Sequence, residues 1–231
     1  MTQNNEICEK IQADISNTPN VTLLHSTPLH VCAYAIRTCW DSHAKSDNGG
    51  DIDRDLIYRV GNINKHKSTL EHIFYSFRIK GISRACLQEL SRHRMASLSV
   101  KSTRYTLKEL RKENSFLPIN NENLERASKY ICISTQNEKV ALQSINALES
   151  LRLSIEENIA NDIAKYLIPE CYKTELVWSI NARSLQNFLE LRTAKAAWLE
   201  IRTLAYSVFN ALPQDHKYLF KEYINDRAAT N

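Results

Sequence analysis

Glycine is nearly missing from this chain: its 231 residues include only Gly49, Gly50, Gly61 and Gly81. Neither G-x-G-x-x-G nor G-x-x-x-x-G-K-[ST] can be written with them, which excludes a glycine-rich phosphate cradle. Any phosphate must be met by side chains or ordinary helix ends. The six cysteines (Cys8, Cys32, Cys39, Cys86, Cys132 and Cys171) contain no C-x-x-C pair, which argues against a zinc ribbon and a disulfide framework. Val31-Cys32-Ala33 and Ile131-Cys132-Ile133 read as apolar settings for reduced thiols, and all six are expected to be structural. No metal site is expected. No window approaches the roughly 18 apolar residues of a membrane span. The opening MTQNNEICEKIQ lacks the basic cluster and apolar stretch of a secretory signal. The expectation is a cytoplasmic protein without membrane contact. Repeats, low-complexity tracts and Pro/Ser-rich linkers are also absent, so residues 1–231 are read as one domain.

What is present looks globular. Hydrophobic residues make up 43% and charged residues 24%, near the usual balance, and the length suffices for a hydrophobic core. The formal charge of +4 falls short of the basic stripe of a dedicated nucleic-acid binder but suits a protein that handles small anions.

The residue pattern predicts a mostly helical α+β domain around a small, mainly antiparallel sheet. Thr27-Pro28 reads as a cap and first turn for a helix through HVCAYAIRTCW, with a second helix from about Arg54 to Asn64. Ile73, Tyr75, Phe77 and Ile79 alternate as one face of a strand over His72 to Lys80, with Gly81 as its end. Ser83 is placed to cap a helix over RACLQELSRHR. From about Asn121 to Ile168 the pattern predicts two helices, with Leu151, Ile155, Ile159 and Ile163 as one apolar stripe. An extended TELVWSI, the helix SLQNFLELR, a long helix over AKAAWLEIRTLAYSVFNAL and a last helix after Pro213 complete the reading.

Residues 92–105, RHRMASLSVKSTRY, carry the chemistry. Arg92, His93, Arg94, Lys101 and Arg104 lie among five hydroxyl side chains, with no acidic residue in the stretch. Arginine's fork meets two phosphate oxygens at once, and each charge-assisted bond contributes about 1.5–3 kcal/mol. Composition alone favours a solvated basic turn. Arg192 has its own argument: Leu185, Phe188, Leu189 and Arg192 follow i, i+3, i+4, i+7, so a guanidinium extends an apolar stripe. Either an acceptor meets it there or it complements a helix C-terminus.

Arg92-His93-Arg94, seven residues and Ser102, with Arg104-Tyr105 in register, resembles the signature of flavin-dependent thymidylate synthases. His66-Lys67-Ser68-Thr69-Leu70-Glu71-His72 resembles the family's H-x-[ST]-x-x-E-H segment. Asn181-Ala182-Arg183-Ser184-Leu185-Gln186-Asn187-Phe188 with Leu191-Arg192 resembles its N-A-R-S-L-x-N-F…L-R block. The resemblance implies methylation of dUMP to dTMP, with methylenetetrahydrofolate as carbon donor and FAD, reduced by NADPH, as hydride source. It also implies a homotetramer with sites at subunit interfaces.

By the same resemblance Arg192 is the catalytic candidate. His66, Ser68, Arg92, His93, Arg94, Val100, Asn181, Arg183 and Asn187 would hold FAD. Glu89, Leu90, Ser91, Arg92, Lys101, Ser102, Thr103, Arg104, Lys165 and Arg192 would hold dUMP. Ser102 is expected to contact the nucleotide and not to act as a nucleophile, because no positioned base is evident. Three positions depart from the family: Ser99-Val100 stands where Asn-Glu is common, Glu89 where glutamine is usual, and Ala196 where a histidine is often found. A basic nucleic-acid-binding module and a flavoprotein without methyl transfer are the alternatives.

Overall fold

The computed structural model describes residues 18–133 and 137–225. Cys8 lies outside the described residues. The sheet is antiparallel, with strands β1 (Asn20–Ser26), β2 (Phe74–Ser83), β3 (Ala96–Val100) and β4 (Lys173–Asn181). Their spatial order is β1-β2-β4-β3. The chain separates into two compact units whose boundaries fall inside β2 and β4: Lys80–Gln88 with Val100–Glu175, and Pro19–Ile79 with Glu89–Ser99 and residues 176–225. The α+β expectation holds.

The second unit is built on the alternation of β2. Ile73, Tyr75, Phe77 and Ile79 are fully buried, as the two-residue period of a strand requires. Trp178 and Ile180 of β4 are buried too, and the Trp178 ring lies 6.2 Å from that of Phe77. The helix Leu29–Thr38 follows Pro28, which is itself the N-cap; the Thr27 hydroxyl instead accepts the Phe74 N–H. Thr27 was expected to cap this helix. The strand's demand for a partner took its hydroxyl.

Arg37, at the end of that helix, is buried against Asp53 of the helix Asp51–Tyr58, Nη2 to Oδ1 at 2.7 Å. The other Asp53 oxygen accepts from Ser46 Oγ and Gly49 N–H, so one carboxylate gathers the intervening loop. Burial raises the Asp53 pKa, but these hydrogen bonds and the Arg37 charge outweigh it and hold the carboxyl below its ordinary value. The helix then loosens into a π turn, Arg59–Ile63. Gly61 sits there because a Cβ would lie 2.7 Å from Leu70 Cδ2.

The helix Ala182–Arg192 buries Leu185, Phe188 and Leu189, the face anticipated from their spacing. Its C-terminus is closed by Thr193, whose hydroxyl donates to Leu189 O and accepts from Asn225 N–H. The next helix covers only Leu199–Ala211, starting after Trp198 and not at Ala194. Among the described residues, the segment after Pro213 forms 3-10 turns at Lys217–Leu219 and Lys221–Tyr223 and no longer helix.

The first unit packs Leu107, Leu110, Phe116, Leu124, Ile145, Leu148, Leu151 and Ile155 into its own core. The helix Arg84–Ser91 begins as expected, with the Ser83 hydroxyl accepting the Cys86 N–H at 3.0 Å. Gly81 does not end β2; it adopts φ +83° within the strand. The region expected as two helices is more broken: Asn121–Ser128, Glu138–Glu156 and a single turn Asn161–Ala164. Asn158, at φ +63°, stops the long helix. Ile159 N–H then turns back to Ser154 O, a left-handed helix ending. The four-residue stripe therefore breaks after Ile155, and Ile163 is 64% exposed. Cys32 and Cys86 are buried, Cys132 and Cys171 half-buried, and Cys39 exposed. A core role fits all of these but Cys39.

Candidate functional site

Three stretches of the second unit meet around one cavity. The helix Arg84–Ser91 ends in a tight turn in which Arg92 N–H donates to Glu89 O and His93 N–H to Leu90 O. Leu90 is fully buried and anchors that turn. Arg92, His93 and Arg94 therefore leave the helix end together, and all three line a cavity of about 1090 Å³.

The second stretch is the helix Ala182–Arg192. Asn181, the last residue of β4, caps it by accepting the Ser184 N–H at 2.8 Å. Asn181, Arg183 and Ser184 line the cavity from the helix start, and Leu191 and Arg192 from its end. Arg183 belongs to the first helical turn. Asn187 completes the helix's contribution.

The third stretch is the 3-10 turn Lys67–His72, of which Lys67 and Glu71 line the cavity. His66 and Ser68, the two residues singled out from this segment, are exposed and do not line it. Lys67 and Glu71, four residues apart, are the side chains of this turn that reach the cavity. Glu71 was missed as a site residue although it belongs to the H-x-[ST]-x-x-E-H segment.

The electrostatics of this cavity are uneven. Five cationic side chains (Lys67, Arg92, Arg94, Arg183 and Arg192) face two carboxylates, Glu71 and Glu89. Arg183 Nη1 donates to Glu71 Oε1 at 2.6 Å, and both side chains are about half exposed. Arg192 Nη1 donates to Glu89 Oε2 at 2.7 Å and Arg192 Nε to His93 Nε2 at 3.1 Å. Among the described residues, Arg92 and Arg94 have no carboxylate partner. Burial, with the nearby Arg192 charge, pushes the His93 pKa down to about 4. Its ring stands edge-on to Phe188, centroids 5.0 Å apart. At neutral pH His93 is therefore an uncharged acceptor.

The remaining nucleotide candidates belong to the first unit. Arg104 grips Asp162 with Nε at 2.9 Å from Oδ1 and Nη2 at 3.1 Å from Oδ2. Lys165 Nζ lies 3.9 Å from the same carboxylate, so the structure brings Arg104 and Lys165 together as a pair. Lys101 Nζ meets Glu109 at 2.6 Å, and its backbone N–H is taken by Glu175 O. Ser102 and Thr103 open the helical turn Thr103–Thr106. Val100 is the exposed last residue of β3, a strand within residues 92–105 that was not anticipated.

The family model described as "Thymidylate synthase complementing protein" matches residues 22–216. The chain belongs to the flavin-dependent thymidylate synthase family. It is 60% identical over 200 residues to the flavin-dependent thymidylate synthase of Wolinella succinogenes, covering 87% of this chain and 96% of that protein. Identity to the Campylobacter jejuni enzyme is 57% over 205 residues, covering 89% and 97%. Among solved structures, Thymidylate Synthase X from Helicobacter pylori with FAD and dUMP superposes with a TM-score of 0.86 at 56% identity. That alignment covers 89% of this chain and 99% of the other. As a flavin-dependent thymidylate synthase, the chain is a methyltransferase in which the cavity's cations and amides suit a flavin dinucleotide. Its volume is at the upper end of ligand pockets, which run to about 1,000 Å³. Its excess positive charge suits a pyrophosphate, and the apolar faces of Met95 and Leu191 suit a ring system.

Proposed function

We propose that this chain converts dUMP to dTMP with methylenetetrahydrofolate as carbon donor and NADPH as reductant of bound FAD. The observation that carries the residue assignment is the Arg192 guanidinium, held by His93 and Glu89 at the edge of a cavity in which Arg92 and Arg94 have no carboxylate partner among the described residues. FAD supplies the hydride when bound.

The protein's own part is mainly electrostatic. Arg92, Arg94 and Arg183 offer guanidinium forks to the dinucleotide phosphates, where each charge-assisted bond contributes about 1.5–3 kcal/mol. Asn181 is already committed to capping through Oδ1, which leaves its amide N–H₂ to donate. Asn187 can both donate and accept. Arg192 meets the pyrimidine and stabilises negative charge that develops on the ring, a preorganised donor aimed at the reacting group. Arg104, Lys165, Lys101 and the Ser102 hydroxyl are assigned to the nucleotide, with Arg104 and Lys165 exchanging their shared Asp162 partner for phosphate. Thr103 is assigned with them. Lysine at 165 supplies charge without the two-pronged grip of arginine.

The assembly is proposed as a homotetramer with sites at subunit interfaces, acting in the cytoplasm. Tyr34 and Trp40 in one unit, and separately Tyr166 in the other, leave large aromatic side chains 64%, 83% and 84% exposed, which subunit contacts would cover. Sedimentation at micromolar concentration should give the mass of four chains; a monomer would overturn this part.

The test of the function is direct. The purified protein should show the flavin visible bands, shift them when dUMP is added, and form dTMP once methylenetetrahydrofolate and NADPH are supplied. A colourless preparation that neither takes up FAD nor forms dTMP would refute the proposal.

A further inference from the structure

We propose that Glu89 is a positioning residue: with His93 it holds the Arg192 guanidinium in one orientation and makes that end of the site select an uncharged ring over a phosphate. This rests on the assignment of Arg192 to the pyrimidine.

A guanidinium carries five N–H donors in one plane, and an arginine side chain is otherwise free to swing. Here two partners fix that plane. Nε donates to His93 Nε2 at 3.1 Å, and Nη1 donates to Glu89 Oε2 at 2.7 Å. Nη2 is left with no partner among the described residues. Its two N–H groups, with the second N–H of Nη1, remain for a guest.

The two partners stand on backbone that is itself fixed. Glu89 is in the last turn of the helix Arg84–Ser91, and its carbonyl accepts the Arg92 N–H. Buried Leu90 ties that turn down, and the His93 ring is wedged against Phe188. The side chains of Arg192 and Glu89 are 21% and 37% exposed, so their attraction is only partly screened by solvent.

The charge matters as well as the geometry. A carboxylate at 2.7 Å largely cancels the field of Arg192 for an approaching anion but leaves the Nη2 hydrogens in place. Arg92 and Arg94 carry no such counter-charge among the described residues. Phosphate is therefore drawn toward them, and an uncharged carbonyl or amide can take the Arg192 end. Glutamine at position 89 would keep an acceptor for Nη1 and lose the cancellation; alanine would lose both.

The experiment compares full-length, flavin-loaded wild type with Glu89→Gln and Glu89→Ala. Three readouts are taken: kcat and KM for dUMP, inhibition by inorganic phosphate, and hydrogen exchange of the Arg192 Nε–H by NMR. For Glu89→Ala, kcat should fall tenfold or more with KM within threefold, and Nε–H exchange should speed up tenfold. Glu89→Gln should recover at least a third of the wild-type kcat and keep the slow exchange. Both variants should be inhibited at threefold lower phosphate concentration. Wild-type turnover and wild-type Nε–H protection in Glu89→Ala would overturn the proposal, as would unchanged phosphate inhibition in both variants. If wild type itself forms no dTMP, the assigned reaction falls; the exchange measurement, which needs no turnover, then judges Glu89 separately.

Discussion

Arg192 and His93 share a single hydrogen, donated from Nε to Nε2 across 3.1 Å. The bond exists only while Nε2 keeps its lone pair, so the imidazole proton resides on Nδ1.

That relationship predicts a pH dependence with a definite sign. The His93 pKa is lowered from 6.5 to about 4 by burial and by Arg192. The unfolded chain therefore binds a proton that the native chain refuses between those values. Stability should rise with pH through that window, be complete above about 6.5 and be lost progressively as pH falls toward 4. Denaturation at pH 7 and pH 5 should show the loss in wild type and a smaller loss in His93→Gln. An NMR titration placing the His93 midpoint near 6.5 would contradict it.

Arg183 and Glu71 make a prediction about ligand, not fold. Their ion pair is about half exposed, and such pairs contribute roughly 0–1 kcal/mol to stability. Arg183→Ala should therefore change the unfolding free energy by less than about 1 kcal/mol. Retention of FAD should nevertheless weaken by about tenfold or more, because a charge-assisted bond to phosphate is lost. Equilibrium dialysis of FAD beside a denaturant titration separates the two quantities.

The Arg37–Asp53 pair makes the opposite prediction. Both side chains are at most 5% exposed, and removing one partner strands the other charge in the core. Asp53→Ala should cost about 3–5 kcal/mol of stability. It should also release the 42–50 loop, because Ser46 and Gly49 lose their common acceptor. Faster amide exchange at Gly49 would report the release; a change under about 1 kcal/mol would show that the pair is dispensable.

Asn158 offers a test by gain of stability. At φ +63° it occupies the left-handed region that glycine adopts without penalty. Asn158→Gly should be neutral or slightly stabilising. A β-branched residue such as valine should cost on the order of 1–2 kcal/mol. Equal thermal midpoints for the glycine and valine variants would refute the argument.

Much of this architecture is readable from residue order, and the exceptions have physical causes. The alternation of Ile73, Tyr75, Phe77 and Ile79 marks one buried face, and the Ser83 hydroxyl marks a helix start. Leu185, Phe188 and Leu189 place Arg192 at the rim of an apolar stripe. The helix break at Asn158 is hidden because Ile159 and Ile163 continue the four-residue period after the backbone has turned. β3 is hidden because Ala96–Val100 is short, half polar and half exposed. Glu71 and Lys67 are hidden because residue order in a six-residue 3-10 segment carries no apolar stripe to mark which side chains face the cavity.

The helix Ala182–Arg192 also works as a spacer. Its eleven residues span about 16 Å at 1.5 Å each, with Asn181 and Arg183 at one tip and Arg192 at the other. That rod fixes the separation between the side chains at its two tips, independently of any flexible loop. Removing a single residue from its middle would swing the far tip by about 100° and aim Arg192 away from His93, with every side chain of the pair still present.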